Sequence, residues 1–517
     1  MILPILETIR SNELENIGNG REVIIMEFDL REHIFHIEKE HKSKNRVDPY
    51  QQKYHIMPPV GGIYEPSGLC DCDGDYYVFI QYSPMEVERR GQCFSLYKSR
   101  DLLHFLYVGV PIISDQSIDK DGVFSGSTLL VGKEMYFYYT GKVDSLDLKD
   151  EDYEEGEYHT IVVKITKDSY FNDVYSDKLV VLKSTDYKEI ASGRVSGPKV
   201  WQDNGVYHMV HALRTKEQTG AILFFTSSDK INWKYKKKLV IEEDYQIFEC
   251  PDLFYLERVP ILSVSMFHDG DKGMCNKEND KSIYKTEHNL IQNKVEKHKS
   301  FFTFLQGETI EEYCVGELQE WDYGFDFYAP QTFMDRNERV IMIALMGNPG
   351  SAYRNPTIEL GWQHCLTIPR ELEIREGQLY QNPISEIERQ RKNQNSIVIT
   401  KEADIRLKNS SDFVLNLSKE SEGFNLNVNN TLRMYYDCKK QLFGIEFINS
   451  MGYGREKRET SINRLTEVRI LFDSSSIEIF LNKGEAALTT RIFKKEKDYS
   501  LKLSSVGAKL TWWDIEL

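Results

Sequence analysis

Turn signals followed at once by short β-prone runs recur along this chain, and this recurrence limits the possible folds more than any other feature. In each case a Gly, Asp or Asn turn leads into an alternating or aromatic-rich stretch of the kind that forms a strand. Turn and strand occupy residues 73–75 and 76–80, 132–134 and 135–139, and 203–205 and 206–210. Units repeated at intervals of tens of residues are typical of a radial array such as a β-propeller. An antiparallel sandwich with similar hairpins is the alternative fold.

A second short pattern also repeats. Residues 99–105 and 227–233 both read Ser-x-Asp-x-x-x-aromatic. Sustained helical periodicity is scarce, and aromatic residues make up 12% of the chain, with 30 Tyr and 26 Phe. This composition favours a globular, predominantly β protein over a disordered one.

The charge balance excludes several classes of partner. Lys and Arg total 65 and Asp and Glu total 81, which gives a formal net charge of −16. Nucleic-acid grooves and anionic membrane surfaces both require concentrated positive charge, so we expect neither partner. The longest purely apolar run, residues 340–346, is far shorter than the roughly 18–20 residues that a membrane helix needs.

The N-terminal sequence and the cysteine content favour a cytoplasmic protein. The N-terminus has no basic start, long apolar stretch or small-residue cleavage site of a secretory signal. The 8 cysteines are typical of reduced thiols, and Cys70-x-Cys72 is too tightly spaced for a zinc knuckle. The acid-rich run at 71–75 is more simply a hairpin turn than a calcium loop. We therefore predict a cytoplasmic protein with no metal site and no other cofactor.

Composition divides the chain into four parts. Residues 1–50 are charged and mixed, and we expect an N-terminal extension packed on the outside. Residues 51–380 carry the turn-and-strand repeats, and residues 381–395 contain ISEIERQRKNQ, whose helix formers predict a helical linker. Residues 396–517 predict a C-terminal β-sandwich from the length and spacing of their strand-like runs. These runs are residues 412–417, 423–428, 442–447, 468–472, 477–481 and 510–513.

Three acidic residues lie in surroundings that suit a catalytic site. Glu65 stands in Tyr-Glu-Pro-Ser-Gly, where proline and glycine impose a turn that can hold a carboxylate at the mouth of a site. Glu249 stands in Phe-Glu-Cys-Pro-Asp, where apolar neighbours would desolvate an acid and raise its pKa, as a general acid requires. Asp326 lies among aromatic residues. A turn residue or a satisfied acid is the simpler interpretation of each one alone, whereas a propeller would bring Glu65 and Glu249 together at its central channel.

Longer motifs follow one another in a recognisable order. They are Gln81-Tyr82-x-Pro84, Phe124-Ser125-Gly126-Ser127, Tyr139-Thr140-Gly141, Glu249-Cys250-Pro251-Asp252, Asp326-Phe327-Tyr328-Ala329-x-Gln331, Gly361-Trp362-x-x-x-Leu366-Thr367-Ile368-Pro369-Arg370-Glu371-Leu372, and a run from Phe472 to Glu485 that reads FDSSSIEIFLNKGE. From about residue 55 to its end the chain resembles glycoside hydrolase family 32, the group of invertases, sucrose-6-phosphate hydrolases, levanases and inulinases. The resemblance implies an all-β fold, a five-bladed β-propeller followed by a C-terminal β-sandwich.

The resemblance also implies a chemistry. Members of the family use two carboxylates with retention: one attacks the anomeric carbon, while the other protonates the leaving oxygen and later activates water. Glu249 matches the acid/base of the family's Glu-Cys motif. The implied ligand is a carbohydrate. Positions that match or replace those lining the family's sugar pocket are Gln81, Phe94, Phe124, Ser125, Gly197 and Cys250.

The chain departs from the family at three places. Glu65 stands at the nucleophile position, in a turn that reads Asn-Asp-Pro-Asn-Gly in the family, and adds about 1.5 Å of reach, a misplacement that can cost on the order of a hundredfold in rate. The family's Arg-Asp-Pro motif becomes Ser-Gly-Pro, so Gly197 replaces the Asp that grips fructose hydroxyls. The family's His-Trp pair becomes Cys-Phe, which ends in Phe94.

Two functional hypotheses follow. The first is retaining hydrolysis of a β-fructofuranoside, phosphorylated or not, or of a related furanoside, with Glu65 as nucleophile and Glu249 as acid/base. A phosphate would need Lys or Arg near the channel, and Lys199 is a candidate by its position. The second is a non-catalytic relative that binds a carbohydrate or a protein partner, which the loss of the Asp at Gly197 favours.

Overall fold

The computed structural model describes residues 30–43, 47–88, 93–144, 156–165, 177–186, 190–241, 245, 247–267, 298–349, 353–494 and 496–517. The α-helix of this part of the chain is α1 (Leu30–Ser43), and short 3₁₀ helices span Ser184–Asp186, Pro356–Leu360, Ser385–Gln390 and Ser450–Gly452. Strands account for most of the rest. None of the described helices is long and apolar enough to cross a membrane.

Strands β1 to β23 build five sheets around a common axis. They are β1 (Gly61–Cys72), β2 (Asp75–Ser83), β3 (Cys93–Ser99), β4 (Leu106–Ile113), β5 (Gly122–Val131), β6 (Glu134–Val143), β7 (Glu157–Ile165), β8 (Leu179–Lys183), β9 (Ala191–Asp203), β10 (Val206–Thr215), β11 (Gly220–Ser227), β12 (Lys234–Val240), β13 (Ile247–Leu256), β14 (Val259–Phe267), β15 (His298–Gln306), β16 (Cys314–Val315), β17 (Gln319–Glu320), β18 (Tyr328–Met334), β19 (Val340–Met346), β20 (Trp362–Gln363), β21 (Cys365–Leu366), β22 (Arg370–Arg375) and β23 (Gln378–Pro383). The predicted strands at 76–80, 135–139 and 206–210 lie within β2, β6 and β10, and are confirmed.

The five sheets are the blades of a propeller. Blade 1 contains β1 to β4, blade 2 contains β5 to β8, blade 3 contains β9 to β12, blade 4 contains β13 to β17, and blade 5 contains β18, β19 and β21 to β23. The first strand of each blade packs against the first strand of the next, and β18 packs against β1 to complete the ring. The short strand β20 pairs in parallel with β1, so chain from beyond blade 5 closes the first sheet.

The Ser-x-Asp repeat marks the same turn in two blades. It connects β3 to β4 in blade 1 and β11 to β12 in blade 3. Asp101 accepts hydrogen bonds from the amides of Leu103 and His104, and Asp229 accepts from the corresponding amides of Ile231 and Asn232. The sequence repeat is therefore a structural repeat of the propeller.

Strands β24 to β35 form two six-stranded sheets packed face to face. They are β24 (Arg391–Ile399), β25 (Glu402–Leu407), β26 (Ser410–Leu417), β27 (Gly423–Val428), β28 (Leu432–Asp437), β29 (Leu442–Phe447), β30 (Lys457–Ser461), β31 (Glu467–Asp473), β32 (Ser476–Leu481), β33 (Ala486–Arg491), β34 (Tyr499–Ser505) and β35 (Ala508–Ile515). One sheet has the order β24-β35-β26-β31-β32-β33 and the other β25-β34-β27-β28-β29-β30. Alternate side chains such as Phe413 and Leu415 of β26 are fully buried between the sheets, as expected for strands with one covered face. The all-β propeller-plus-sandwich prediction is confirmed.

The segment predicted as a helical linker, 381–395, is mostly extended. Its helical part is the 3₁₀ turn Ser385–Gln390, while β23 precedes it and β24 begins at Arg391. Pairing of β24 with β35, for example Arg391 with Ile515, outweighs the helix propensity of the residues that follow.

Helix α1 packs on the outside of blade 1. Glu32 lies in its first turn and His41 in its last, an arrangement that complements the helix dipole. Glu38 accepts hydrogen bonds from the hydroxyls of Tyr82 at 3.0 Å and Tyr107 at 2.5 Å. Burial raises the pKa of Glu38, although these two hydrogen bonds oppose the rise.

A buried polar seam joins the propeller to the sandwich. His55 contacts Asp473 and Glu478, each at 2.8 Å, and Arg370 donates to Glu478 and to Asp322. Burial alone would lower the pKa of His55, but its hydrogen bonds to the two carboxylates outweigh burial and raise the pKa to about 9. The two regions are therefore held together by charges that satisfy one another out of water.

Candidate active site

Every inner strand of the propeller breaks its register at the same level of the channel. These register shifts fall at Tyr64 and Glu65 in β1, Ser125 in β5, Gly197 and Pro198 in β9, Cys250 and Pro251 in β13, and Ala329 and Pro330 in β18. Proline cannot donate to a ladder and is therefore confined to bulges and edges, so the X-Pro pairs help to specify these breaks. β-Bulges redirect side chains and recur beside active sites.

Contacts across the channel show that these bulges converge. Ser125 Oγ of blade 2 lies 3.3 Å from Cys250 Sγ of blade 4, although these blades are not neighbours. Ser196 Oγ accepts from the Cys250 amide at 3.1 Å, and Gln331 Nε2 donates to the Cys250 carbonyl at 3.1 Å. Cys250 and Ala329 both adopt a φ of 50°, in the left-handed region. Blades 2 to 5 thus meet at Cys250, beside Glu249.

Glu249 is 5% exposed and fixed by the two neighbouring blades. The Tyr328 hydroxyl of β18 donates to Oε2 at 2.9 Å, and the Arg194 guanidinium of β9 forms an ion pair with Oε1. Arg194 supplies a positive charge and Tyr328 a hydroxyl donor to the carboxylate. Together they set the orientation of the carboxylate and leave it within the channel.

Arg194 lies on an aromatic platform. Its guanidinium carbon is 5.4 Å from the centre of the Phe267 ring, which stacks on His298 with a centroid distance of 4.6 Å. The Arg194 side chain retains 31% exposure, so this group lies at the open side of the Glu249 carboxylate.

Sequence reasoning missed both partners of Glu249. Tyr328 stands in the Asp-Phe-Tyr-Ala motif but carried no assigned role. Arg194 lies two residues before Ser196, and alternate residues of a strand share a face. This short spacing from the altered motif was the available signal, although β9 shifts register next to Arg194.

Glu65 is buried, with 4% exposure, in the bulge that faces Gln81. Its strand β1 and the Glu249 strand β13 lie on either side of β18 and both contact it. Gln81 is fully buried, and its Nε2 donates to the Val123 carbonyl at 2.8 Å, which ties blade 1 to blade 2 beside Phe124. The two predicted carboxylates therefore belong to one channel, with Tyr328 on the strand between theirs.

Four of the other predicted pocket residues lie at the same level. Ser125 and Cys250 are in contact, Gly197 occupies the β9 bulge, and Phe124 is partly exposed next to Ser125. Phe94 differs, because it is fully buried and packs on Phe137 and Tyr139 with centroid distances of 5.0 and 5.9 Å. Phe94 is on the third strand of its blade, in the core between blades 1 and 2.

Gly197 is in a conformation that suits glycine alone. Its φ is +106°, and a Cβ atom there would lie 3.1 Å from Pro251 Cγ and 3.3 Å from the Val210 carbonyl oxygen. An L-residue at this position would be strained by its backbone as well as by its neighbours. The conformation of the β9 bulge therefore disfavours an aspartate at position 197.

Two charged residues singled out in the sequence serve elsewhere. Lys199 lies 2.6 Å from Asp252 and donates to the Thr332 carbonyl at 2.7 Å, so it links three blades of the propeller. Asp326 is fully buried and accepts from Arg455 of the sandwich at 2.5 Å. No group of three or more His, Cys, Asp or Glu that could hold a metal ion occurs among the residues described.

Comparison with known proteins agrees with this geometry. Residues 55–383 match the family model described as glycosyl hydrolases family 32 N-terminal domain, and residues 373–517 match the glycosyl hydrolases family 32 C terminal model. The chain belongs to glycosyl hydrolases family 32. It is a glycoside hydrolase.

Relatives and solved structures cover nearly the whole chain. The sucrose-6-phosphate hydrolase of Bacillus subtilis (strain 168) is 28% identical over 483 residues, 91% of this chain and 94% of its own. That of Staphylococcus xylosus is 28% identical, with 93% and 95% covered. The structure of sucrose-6-phosphate hydrolase from Lactobacillus gasseri superposes with a TM-score of 0.76 at 20% identity over 95% of this chain and 97% of that one. A Bombyx mori GH32 beta-fructofuranosidase gives a TM-score of 0.77 at 20% identity, with 94% and 99% covered. The structural matches establish the shared fold.

Proposed function

We propose that this glycoside hydrolase cleaves a β-fructofuranoside, or a related furanoside, by double displacement with retention. Glu65 is the nucleophile and Glu249 the acid/base. The observation that carries the proposal is the fixing of Glu249 by Arg194 and Tyr328 in the channel that also holds Glu65. The relatives named sucrose-6-phosphate hydrolase support the substrate class.

In the first step, a Glu65 carboxylate oxygen bonds to the anomeric carbon as the bond to the leaving oxygen breaks. Protonated Glu249 gives its proton to that oxygen, so the leaving alcohol departs neutral. The product of the step is a glycosyl ester on Glu65 and an ionised Glu249. Arg194 and the Tyr328 hydroxyl stabilise the charge that Glu249 acquires.

In the second step, Glu249 takes a proton from water while the water oxygen bonds to the anomeric carbon. The ester bond breaks and Glu65 leaves as a carboxylate, which restores both groups. Esterification has meanwhile removed one negative charge from the channel, and this favours the ionised Glu249 that the step needs.

The altered positions define how the substrate preference differs. Glu65 reaches about 1.5 Å further than an aspartate would, from a bulge at residues 64–65. Gly197 supplies no carboxylate to the sugar. We therefore expect a furanoside whose binding does not depend on a charged hydrogen bond at this position, a contact that contributes about 1.5–3 kcal/mol where it exists.

The same glycine favours a second candidate function, binding of a carbohydrate without turnover. Loss of the carboxylate weakens the grip on a reacting furanose, while Ser125, Cys250 and the partly exposed Phe124 still line the channel. The two candidates differ in whether bound sugar is released as product.

The test is sugar release from sucrose, sucrose 6-phosphate, short inulin and levan oligomers, and aryl furanosides. We expect release from at least one compound and its loss in Glu65→Gln with every substrate. Glu249→Gln should lose about a thousandfold in kcat/KM with an alkyl leaving group and much less in kcat/KM with an aryl one, whose departure needs little protonation. Glu402→Gln, an exposed residue of the sandwich, is the matched control and should keep full activity. Calorimetric binding of a panel sugar without release by the unaltered protein would favour the second candidate.

A further inference from the structure

The segment of residues 322–326, here called the docking segment, leaves blade 4 and lies along the sandwich before it enters β18. We propose that the sandwich positions the acid/base Glu249 through this segment, with Asp326 and Tyr328 as positioning residues. The inference rests on the proposed role of Glu249. It assigns the C-terminal region a part in catalysis without contact with substrate.

The docking segment completes an edge of the sandwich. Strand β33 is the last strand of its sheet, and its free side receives three backbone hydrogen bonds from the segment. Tyr323 N donates to the Ala487 carbonyl at 2.9 Å, and Phe325 N and Asp326 N donate to the Thr489 carbonyl at 2.9 and 3.1 Å. The docking segment thus pairs with β33 much as a further strand would, and it covers an edge that would otherwise be unpaired.

The approach of the two backbones is close enough to require glycine. A Cβ atom on Gly324 would lie 2.0 Å from the Thr489 carbonyl oxygen and 2.2 Å from its nitrogen. Asp322 flanks this point and accepts from the Thr489 amide at 2.7 Å and its hydroxyl at 2.6 Å. These contacts fix the position of the docking segment along β33.

Asp326 anchors the other end of the segment. It is fully buried, and its Oδ2 accepts from Arg455 Nη1 at 2.5 Å and from the Arg491 amide at 2.8 Å. The Tyr353 hydroxyl donates to Oδ1 at 2.7 Å. Arg455 and Arg491 both belong to the sandwich, so the carboxylate is held mainly by that region.

The anchor is two residues from Tyr328, whose hydroxyl reaches Glu249. The backbone just beyond Tyr328 is fixed as well, because the Ala329 amide donates to Ser265 Oγ at 3.1 Å and Ser300 Oγ at 3.2 Å. Tyr328 is thus clamped between the sandwich on one side and blade 4 on the other. Because only one residue separates Asp326 from Tyr328, we expect a displacement of Asp326 to move the Tyr328 hydroxyl away from Glu249.

The test compares two buried interface aspartates. Asp326→Asn removes the charge that Arg455 requires, and an amide cannot accept at both of its ends. Asp473→Asn is the matched control: it is also fully buried at the seam, but it holds residues 53–55 through the amides of Lys53 and Tyr54 and the His55 ring. Tyr353→Phe removes a single hydrogen bond from Asp326 and serves as the milder variant, should Asp326→Asn fail to fold.

We expect Asp326→Asn to lower kcat on the order of tenfold with little change in KM. Asp473→Asn should lower the thermal midpoint while keeping kcat. In a Tyr328→Phe background, Asp326→Asn should have little further effect on kcat, since both changes act through one hydroxyl.

Hydrogen–deuterium exchange separates this proposal from the proposed function. Faster exchange of the peptide that contains Tyr328 in Asp326→Asn, and unchanged exchange there in Asp473→Asn, is expected whether or not a substrate has been found. Equal effects of the two aspartates on kcat or on this peptide, or independent effects of Asp326→Asn and Tyr328→Phe, would overturn the positioning role. Absence of sugar release from the unaltered protein would count against the proposed function alone.

Discussion

The propeller and the sandwich consist of similar short antiparallel strands, but they differ in how regularly those strands pair. In the sandwich, strands such as β31 and β32 or β27 and β28 pair without interruption, and the shift between Lys392 and Asn395 is the exception among its described pairs. In the propeller, all five inner strands break register at the level of Glu65 and Glu249. Regular pairing buries a core efficiently, whereas bulges turn polar groups and strained residues toward a shared space. The comparison separates a region of regular packing from the region that holds both proposed catalytic carboxylates.

The largest expected effect comes from the core of the regular region. Phe413→Ala removes a fully buried ring between the two sandwich sheets and should lower the free energy of unfolding by about 3–5 kcal/mol. Urea denaturation measures the loss, and activity per folded molecule should persist at low temperature. Asn416→Ala, an exposed residue of the same strand, should change stability by less than about 0.5 kcal/mol. Similar losses from both variants would mean that the strand faces are assigned incorrectly.

The seam between the regions should respond to pH through His55. Its pKa of about 9 lies above the usual value of 6.5, so its contribution to stability is complete below that usual value and is lost as pH rises through about 9. The contribution is on the order of 3 kcal/mol. Unfolding free energies of the protein and His55→Gln should therefore differ most near pH 6 and converge toward pH 10. A difference independent of pH would contradict a charged His55.

In the irregular region, the ion pair of Glu249 should affect activity more than stability. Arg194→Met removes the cation that pairs with the Glu249 carboxylate and orients it, so we expect kcat to fall on the order of tenfold to a hundredfold, with little change in the thermal midpoint. Arg389→Met, an exposed arginine remote from the channel, is the control. An unchanged kcat in Arg194→Met would remove Arg194 from the mechanism.

The smallest expected effect distinguishes two strained glycines. Gly197→Ala meets Pro251 at 3.1 Å in addition to its positive φ, whereas Gly132→Ala has the positive φ and no neighbour within 4 Å. Each should cost about 1 kcal/mol of stability for the backbone strain. Thermal melts and sugar-release rates measured together should show lost activity in Gly197→Ala only. Equal activity in both variants would show that the β9 bulge tolerates change at the channel.

Much of the strand structure of the two regions can be predicted from the sequence. The strands predicted at 423–428 and 442–447 match β27 and β29 at both ends, because their alternation agrees with a single covered face. The turn repeat at Asp101 and Asp229 is likewise local chemistry. Local signals of this kind suffice for regular strands and for the order of the blades.

The remaining features depend on contacts between distant segments. The ion pair between Arg194 and Glu249 joins two blades, and Asp326 turns toward Arg455 of the sandwich because a sheet edge there accepts its segment. Helix formers at 381–395 gave way to strand pairing with β35. The motif around Phe94 predicts a pocket residue. Its side chain lies in the core between two blades, because Phe94 is on the third strand of its blade. In each case the deciding partner lies far away in the chain.

The most direct test of the account is mass spectrometry of the protein trapped during turnover of an aryl furanoside. We predict one added glycosyl residue on the peptide that contains Glu65, with a larger trapped fraction in Glu249→Gln, where water is activated slowly. An adduct on another residue, or sugar release with inversion at the anomeric carbon and no adduct, would contradict the assignment of Glu65 as the nucleophile in this channel.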